Sequence, residues 1–126
     1  MHISIGEGST AEFNRDQIAD FGVISSCLVL VVECEDGSAI AAHFVLIPDS
    51  TNQKDFDHLM EELSQKTLGK IVKTAKLIGA LDFWGPKSYK KIADRFINLE
   101  EYNTSNHPAI ELTCQFDRIP TIVVKS

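Results

Sequence analysis

The stretch Ile24-Ser25-Ser26-Cys27-Leu28-Val29-Leu30-Val31-Val32-Glu33-Cys34-Glu35-Asp36-Gly37-Ser38-Ala39-Ile40-Ala41-Ala42-His43-Phe44-Val45-Leu46-Ile47 decides the fold. Two apolar runs, 24–34 and 39–47, flank a short polar segment whose Asp-Gly pair has the chemistry of a tight turn. That combination predicts a β-hairpin. The hairpin also carries a thiol and an imidazole, Cys27 and His43. A thiolate is the nucleophilic form of cysteine, and a thiol with an ordinary pKa near ~8.5 needs a base or a positive charge beside it to react at neutral pH. Histidine supplies both.

Whether the two meet is a question of parity, because side chains alternate between sheet faces with period two. With a two-residue turn at Asp36-Gly37, Glu35 faces Ser38, Cys27 faces Leu46 and His43 faces Leu30, and thiol and imidazole lie on opposite faces. With a three-residue loop Glu35-Asp36-Gly37 and Gly37 left-handed, Cys34 faces Ser38, His43 faces Val29 and Cys27 faces Val45. Cys27 and His43 then share a face one diagonal step apart, and Cys34 turns to the other side as a core residue. A bulge in either strand would also change the count. The residues alone leave both registers open.

Outward from the hairpin, the chain divides into short elements. Residues 2–7 suit a short first strand, followed by a polar stretch, 8–20, that carries no element in this reading. After Pro48 closes the hairpin, Phe56, Leu59, Met60 and Leu63 fall at i, i+3, i+4 and i+7 of a helix, with Ser50, Thr51 or Asn52 as cap and Gly69 as its end. Residues 71–81 suit a strand with one partly wet face, since Lys73, Thr74 and Lys76 interrupt the aliphatics. Trp84-Gly85-Pro86 breaks it. Pro86 fits the first turn of a second helix with the inner stripe Tyr89, Ile92, Ala93, Phe96 and Ile97. A loop at 103–108 leads to Ile110, Leu112, Cys114 and Phe116, spaced by two. Residues 117–120 turn into a closing strand at 121–125. The order β-ββ-α-β-α-ββ predicts an α+β fold, a mixed α/β sandwich with a mostly antiparallel or mixed sheet flanked by two helices.

Composition agrees with one domain: 126 residues, 44% of them hydrophobic, are enough for a core. A net charge of −6 with interspersed signs argues against a phosphate-backbone partner, so no nucleic acid is expected. Three cysteines without a CxxC spacing do not make a disulfide framework and suit a reducing compartment. The opening Met1-His2-Ile3-Ser4-Ile5 lacks the basic start and apolar core of a secretory leader, and the apolar run Leu28 to Val32 is far too short for a bilayer. The expectation is a cytoplasmic protein without membrane insertion, with leaderless export compatible with the same reading.

The arrangement resembles the chemoreceptor glutamine deamidases of the CheD type, and the match runs almost end to end. Ile3-Ser4-Ile5-Gly6-Glu7 looks like that family's opening strand, Ser26-Cys27 like the end of its Gly-Leu-Gly-Ser-Cys nucleophile motif, and Ala42-His43-Phe44 like its histidine segment before a proline. Leu77-Ile78-Gly79-Ala80 and the helix after it fit the family's later strand, glycine loop and helix. These pieces occur in the shared order, with Cys27 and His43 sixteen positions apart. The chain departs from the pattern in having Ser25 and Val23 where the family has glycines, Phe21 where it has a threonine, and one extra residue before Pro48.

The resemblance implies a cysteine hydrolase of bacterial chemotaxis signalling that deamidates glutamine on a protein partner, without cofactor or metal. Cys27 is then the nucleophile and His43 its base. Ser25 and Ser26, with the backbone N–H groups around them, are the candidates for stabilising the oxyanion. Phe21, lacking a hydroxyl, would orient His43 through its main chain, as a backbone carbonyl does in the similar cytotoxic necrotizing factors. Two other readings use the same residues: a non-catalytic binding module that keeps the fold, and a thiol protease or acyltransferase built on the same pair.

Other features have structural explanations. Cys34 and Cys114 read as core thiols, since cysteine is among the most buried residue types. Asp55, Asp57, His58, Glu61 and Glu62 put metal-type residues one turn apart, but acids near a helix start complement its dipole and the rest make a solvated face. Asn103-Thr104-Ser105 matches a glycosylation acceptor, which has no meaning without export. Phe83 and Trp84 are read as groove lining or loop anchors. The oligomeric state is not encoded in any legible pattern.

Overall fold

The computed structural model describes residues 1–45, 55–84 and 86–125. The expected cap residues Ser50, Thr51 and Asn52, the strand end at Leu46 and Ile47, Pro48 and Gly85 lie outside them. The described residues form an α+β fold of nine strands and two helices: β1 (His2–Ser4), β2 (Ser9–Asn14), β3 (Ile18–Ile24), β4 (Leu28–Cys34), β5 (Ser38–Phe44), α1 (Phe56–Lys66), β6 (Val72–Gly79), α2 (Pro86–Ala93), β7 (Leu99–Asn103), β8 (Ala109–Gln115) and β9 (Thr121–Lys125), with a short 3-10 turn at Leu81–Phe83.

The strands make two sheets, ordered β1-β3-β8-β9 and β2-β5-β4-β6-β7. Pairs β1·β3 and β6·β7 are parallel and the others antiparallel. One face of the five-stranded sheet packs on the four-stranded sheet through Phe13, Val29, Val31, Ile78, Ile110 and Leu112. Its other face packs on the helices through Leu30, Val32, Phe44, Leu59, Leu63 and Ile92. Central strand β4 is covered on both sides, and all seven of its residues are buried, which explains its unbroken apolar run.

The β4–β5 hairpin takes the three-residue loop. Gly37 has φ 90°, its N–H reaches the Cys34 carbonyl at 3.1 Å, and Asp36 accepts from the Ser38 N–H at 2.9 Å. The register therefore sets His43 against Val29 and Glu33 against Ala39. Cys27 and Val29 belong to the inter-sheet core and Cys34 to the helix-side core.

Several expectations are corrected. The polar stretch 8–20, given no element from the sequence, contains β2 and the start of β3. Strand β2 lies at a sheet edge with only Phe13 fully buried, so its apolar signal is weak. Helix α1 is capped by Asp55, whose carboxylate accepts from the His58 N–H at 2.9 Å. Helix α2 stops at Ala93, before Phe96 and Ile97, and Ile97 is 99% exposed. The edge strand β7 was not anticipated in the stretch after it. Lys76, read as partly wet, is buried against Glu33 on β4, with Nζ 3.2 Å from the carboxylate and 2.7 Å from the Arg118 carbonyl. Glu33 also accepts from the Thr74 hydroxyl and the Asp117 N–H, so this polar clamp ties the five-stranded sheet to the β8–β9 turn.

Candidate functional site

Three chain segments converge at one end of the sandwich. Glu7 follows β1, Cys27 immediately precedes β4, and His43 is the penultimate residue of β5. The β1–β2 connection is fastened to β5 by the Gly8 N–H, which donates to the His43 carbonyl at 2.7 Å, and Ser9 pairs with His43 in the ladder. The odd hairpin loop turns His43 toward the side that Cys27 occupies. As a result the ligand-type atoms of Glu7, Cys27 and His43 all lie within 4.8 Å of one another.

His43 is 1% exposed, and its Nδ1 lies 3.1 Å from the carbonyl oxygen of Ile5. A carbonyl only accepts, so this contact places the proton on Nδ1 and a lone pair on Nε2. Nε2 is buried and has no hydrogen-bond partner among the described residues. Unsatisfied buried polar atoms are rare and mark sites with a use for them. Burial pushes the His43 pKa below its usual value, while the Ile5 carbonyl and the Glu7 charge act in the opposite direction. Burial thus favours the neutral imidazole.

Cys27 is 7% exposed, and its pKa is pushed up to about 12, first by burial, then by the Glu7 charge and a hydrogen bond with Glu7. The resting pair is therefore thiol and imidazole, not thiolate and imidazolium. Glu7 acts in opposite directions on the two partners: it disfavours negative sulfur and favours a positive ring. Its two effects on forming the ion pair oppose each other. Chemistry here requires proton transfer from sulfur to nitrogen as attack proceeds, with the carboxylate facing the nascent imidazolium.

The support for Cys27 comes from close approach and one indole. Gly79 on β6 has φ 148°, and a Cβ there would stand 2.5 Å from the Cys27 carbonyl oxygen and 3.1 Å from Leu28 Cα. Only glycine fits. Trp84 donates its indole N–H to the Ser26 carbonyl at 2.8 Å, holding the bend before Cys27. Beside that bend lies a groove of about 200 Å³ lined by Ser25, Ser26, Phe83 and residues 105–108. Phe83 is 64% exposed, whereas Trp84 is buried.

The structure thus brings Cys27 and His43 together and sets Ser25 and Ser26 along the adjoining groove. Phe21 takes a different position from the one expected of it. The carbonyl facing Nδ1 belongs to Ile5, and Phe21 instead lays its ring edge-on to the imidazole, with centroids 5.7 Å apart. Phe21 faces the inter-sheet core as Ala19 does two residues earlier, and the bulge beside it, where the β3–β8 register shifts between Asp20 and Gly22 and Gly22 has φ 69°, turns Ile24 rather than Val23 inward. Cys34 and Cys114 are buried away from this cluster. His58 pairs with Glu62 across one helical turn at 3.4 Å, and no three-residue metal-type group forms there among the described residues.

Glu7 is the residue that sequence reasoning missed. Its signal was a single acid between Gly6 and Gly8, at the end of the expected first strand, with nothing local to link it to positions 27 and 43. No protein-family model matches the chain, and no curated protein matches it. Among the described residues no helix is long and apolar enough to cross a membrane.

Proposed function

We propose that the chain is a cysteine hydrolase that converts a protein glutamine to glutamate. The observations that carry this reading are the clustering of a His43 ring nitrogen with the Cys27 thiol and the Glu7 carboxylate within 4.8 Å, and the buried His43 Nε2 without a hydrogen-bond partner among the described residues. As the sulfur attacks the side-chain amide carbon, His43 takes its proton and the negative charge passes to the amide oxygen. The imidazolium so formed is held by the Ile5 carbonyl and faces Glu7. It then protonates the departing nitrogen, ammonia leaves, and a thioester remains on Cys27. Water, deprotonated by the now neutral His43, hydrolyses the thioester to glutamate and restores the thiol. In this reading Ser25, Ser26 and neighbouring backbone N–H groups would meet the oxyanion, and the groove lined by Phe83 would accept the chain that bears the glutamine.

The resemblance to CheD-type deamidases directs this chemistry to an amide on a protein, with chemoreceptor signalling fragments as the first substrates to try, and a cytoplasmic setting follows from the same likeness. The test is intact mass after incubation. A gain of about one dalton with release of ammonia, absent with Cys27→Ser, is expected. A new amine terminus would instead identify a protease. A non-catalytic binding module is the second reading, and the raised thiol pKa favours it. No mass change on any partner that binds would establish it in place of the first.

A further inference from the structure

Glu7, Cys27 and His43 present a carboxylate, a thiol and an imidazole on three different segments with their ligand atoms within 4.8 Å. This is the donor set of zinc, which binds Cys sulfur at about 2.3 Å, His nitrogen at about 2.0–2.1 Å and carboxylate oxygen at about 2.0–2.2 Å in tetrahedral geometry. Ligand atoms around such an ion stand about 3.3–3.8 Å apart, as those bond lengths require. No pair in the cluster needs to close by more than about 1–1.5 Å, and the Glu7 side chain, being exposed, is free to adjust toward the two buried ligands.

A second, independent feature points the same way. His43 is 1% exposed, and its Nε2 has no hydrogen-bond partner among the described residues. The other ring nitrogen already faces the Ile5 carbonyl at 3.1 Å, an arrangement that fixes the tautomer and ring orientation of metal-bound histidines. The nitrogen that remains is the one a metal takes.

We propose that a zinc ion binds Glu7, Cys27 and His43, with water in the fourth position, and by occupying sulfur and Nε2 together blocks thiol chemistry at Cys27. Binding replaces the S–H bond with a Zn–S bond, and the thiol proton leaves to solvent, so one proton is released per ion and nothing is oxidised or reduced. The site itself stands on geometry. Its meaning as an off-switch rests on the cysteine-hydrolase reading.

The experiment uses the full chain, reduced and stripped by a chelator. Zinc is titrated against a fluorescent zinc indicator, and cobalt is added separately as an optical probe. One equivalent of zinc is expected, together with a thiolate-to-cobalt charge-transfer band in the near ultraviolet. Cys27→Ser and His43→Gln should each weaken zinc binding by at least about tenfold, since even loss of a group that merely orients a ligand costs about 10- to 100-fold. Glu7→Gln should weaken it less, and Cys34→Ala should leave it unchanged. Urea midpoints of all variants check that they fold. Zinc should also slow iodoacetamide labelling of Cys27, a readout that needs no substrate. Unchanged affinity in folded Cys27→Ser, or a cobalt spectrum without the thiolate band, would overturn the proposal. Zinc binding and thiol protection in a chain that deamidates nothing would retain the site and remove the hydrolase; deamidation without stoichiometric zinc would do the reverse.

Discussion

Three residues around Cys27 decide what its sulfur can do. Burial and the Glu7 carboxylate both resist ionisation, so Glu7→Gln removes one of the causes that raise the thiol pKa. In metal-free buffer, the pH midpoint of iodoacetamide labelling at Cys27 should move down from about 12, and labelling at a given alkaline pH should be faster than in the parent. The same change removes a charge that favours imidazolium. His43 acts as a base only when neutral, and burial places its pKa below 6.5. The proposed hydrolase activity should therefore persist as pH falls through 6.5 and fail only below it, and Glu7→Gln should push that acid limb lower still. An acid limb centred above 6.5 would contradict the neutral resting pair. Gly79 is the third residue. Gly79→Ala sets a methyl 2.5 Å from the Cys27 carbonyl at a φ that disfavours side chains. We expect a loss of about 1–3 kcal/mol in urea unfolding and faster labelling of Cys27 as its bend is displaced.

At the scale of elements, the hairpin loop and the inter-sheet clamp govern the site. Gly37 supplies the left-handed residue that makes the β4–β5 loop three residues long, and that count places His43 on the Cys27 side. Deleting Ser38 with the three-residue loop kept would set Cys34 against Ala39, put His43 opposite Leu30 and send it to the helix-side core. Because that core is filled by Leu30, Phe44 and Leu59, the expected result is loss of the folded state, seen as loss of the cooperative urea transition. A folded deletion variant with His43 still near Cys27 would show that the parity is set elsewhere. The clamp lies at the β8–β9 turn, where Glu33 is fully buried and satisfied by Lys76, Thr74 and Asp117. Removing one partner of a buried ion pair leaves the other uncompensated, so Lys76→Ala or Glu33→Ala should cost about 3–5 kcal/mol. The double replacement Glu33→Met, Lys76→Met should cost less than either, because it leaves no orphan charge.

For the whole molecule, buried titrating groups bound the pH range of stability. His43 has a folded pKa below 6.5, so beneath 6.5 the unfolded chain binds a proton that the folded chain refuses, and stability falls as pH drops. Cys27 and Cys114 have folded pKa values of about 12 against an ordinary 9.0. Above 9.0 the unfolded chain loses thiol protons that the folded chain keeps, so stability also falls as pH rises. The slope is at most about 1.4 kcal/mol per pH unit for each thiol. Urea midpoints measured with reductant and chelator should show a plateau between these limits, and Cys114→Ala should soften the alkaline decline.

Much of the architecture is legible because it depends on local pattern. The paired apolar runs around Asp36-Gly37 specify a hairpin, the i, i+3, i+4, i+7 stripe from Phe56 specifies α1, and the two-residue spacing of Ile110, Leu112, Cys114 and Phe116 specifies β8. Strands β2 and β7 escaped because each is an edge strand whose residues are largely exposed or half-buried, so neither carries an alternating apolar signature. Cys27 and His43 could be chosen by residue type and hairpin position, but their meeting required a loop length that the residues left open. Tertiary structure alone brought Glu7 to them, assigned the imidazole's partner to Ile5 rather than Phe21, and buried Lys76 on Glu33. Side-chain alternation is a property of a single strand. Which loops converge at the end of a sandwich depends on how two sheets stack, and no local pattern records that.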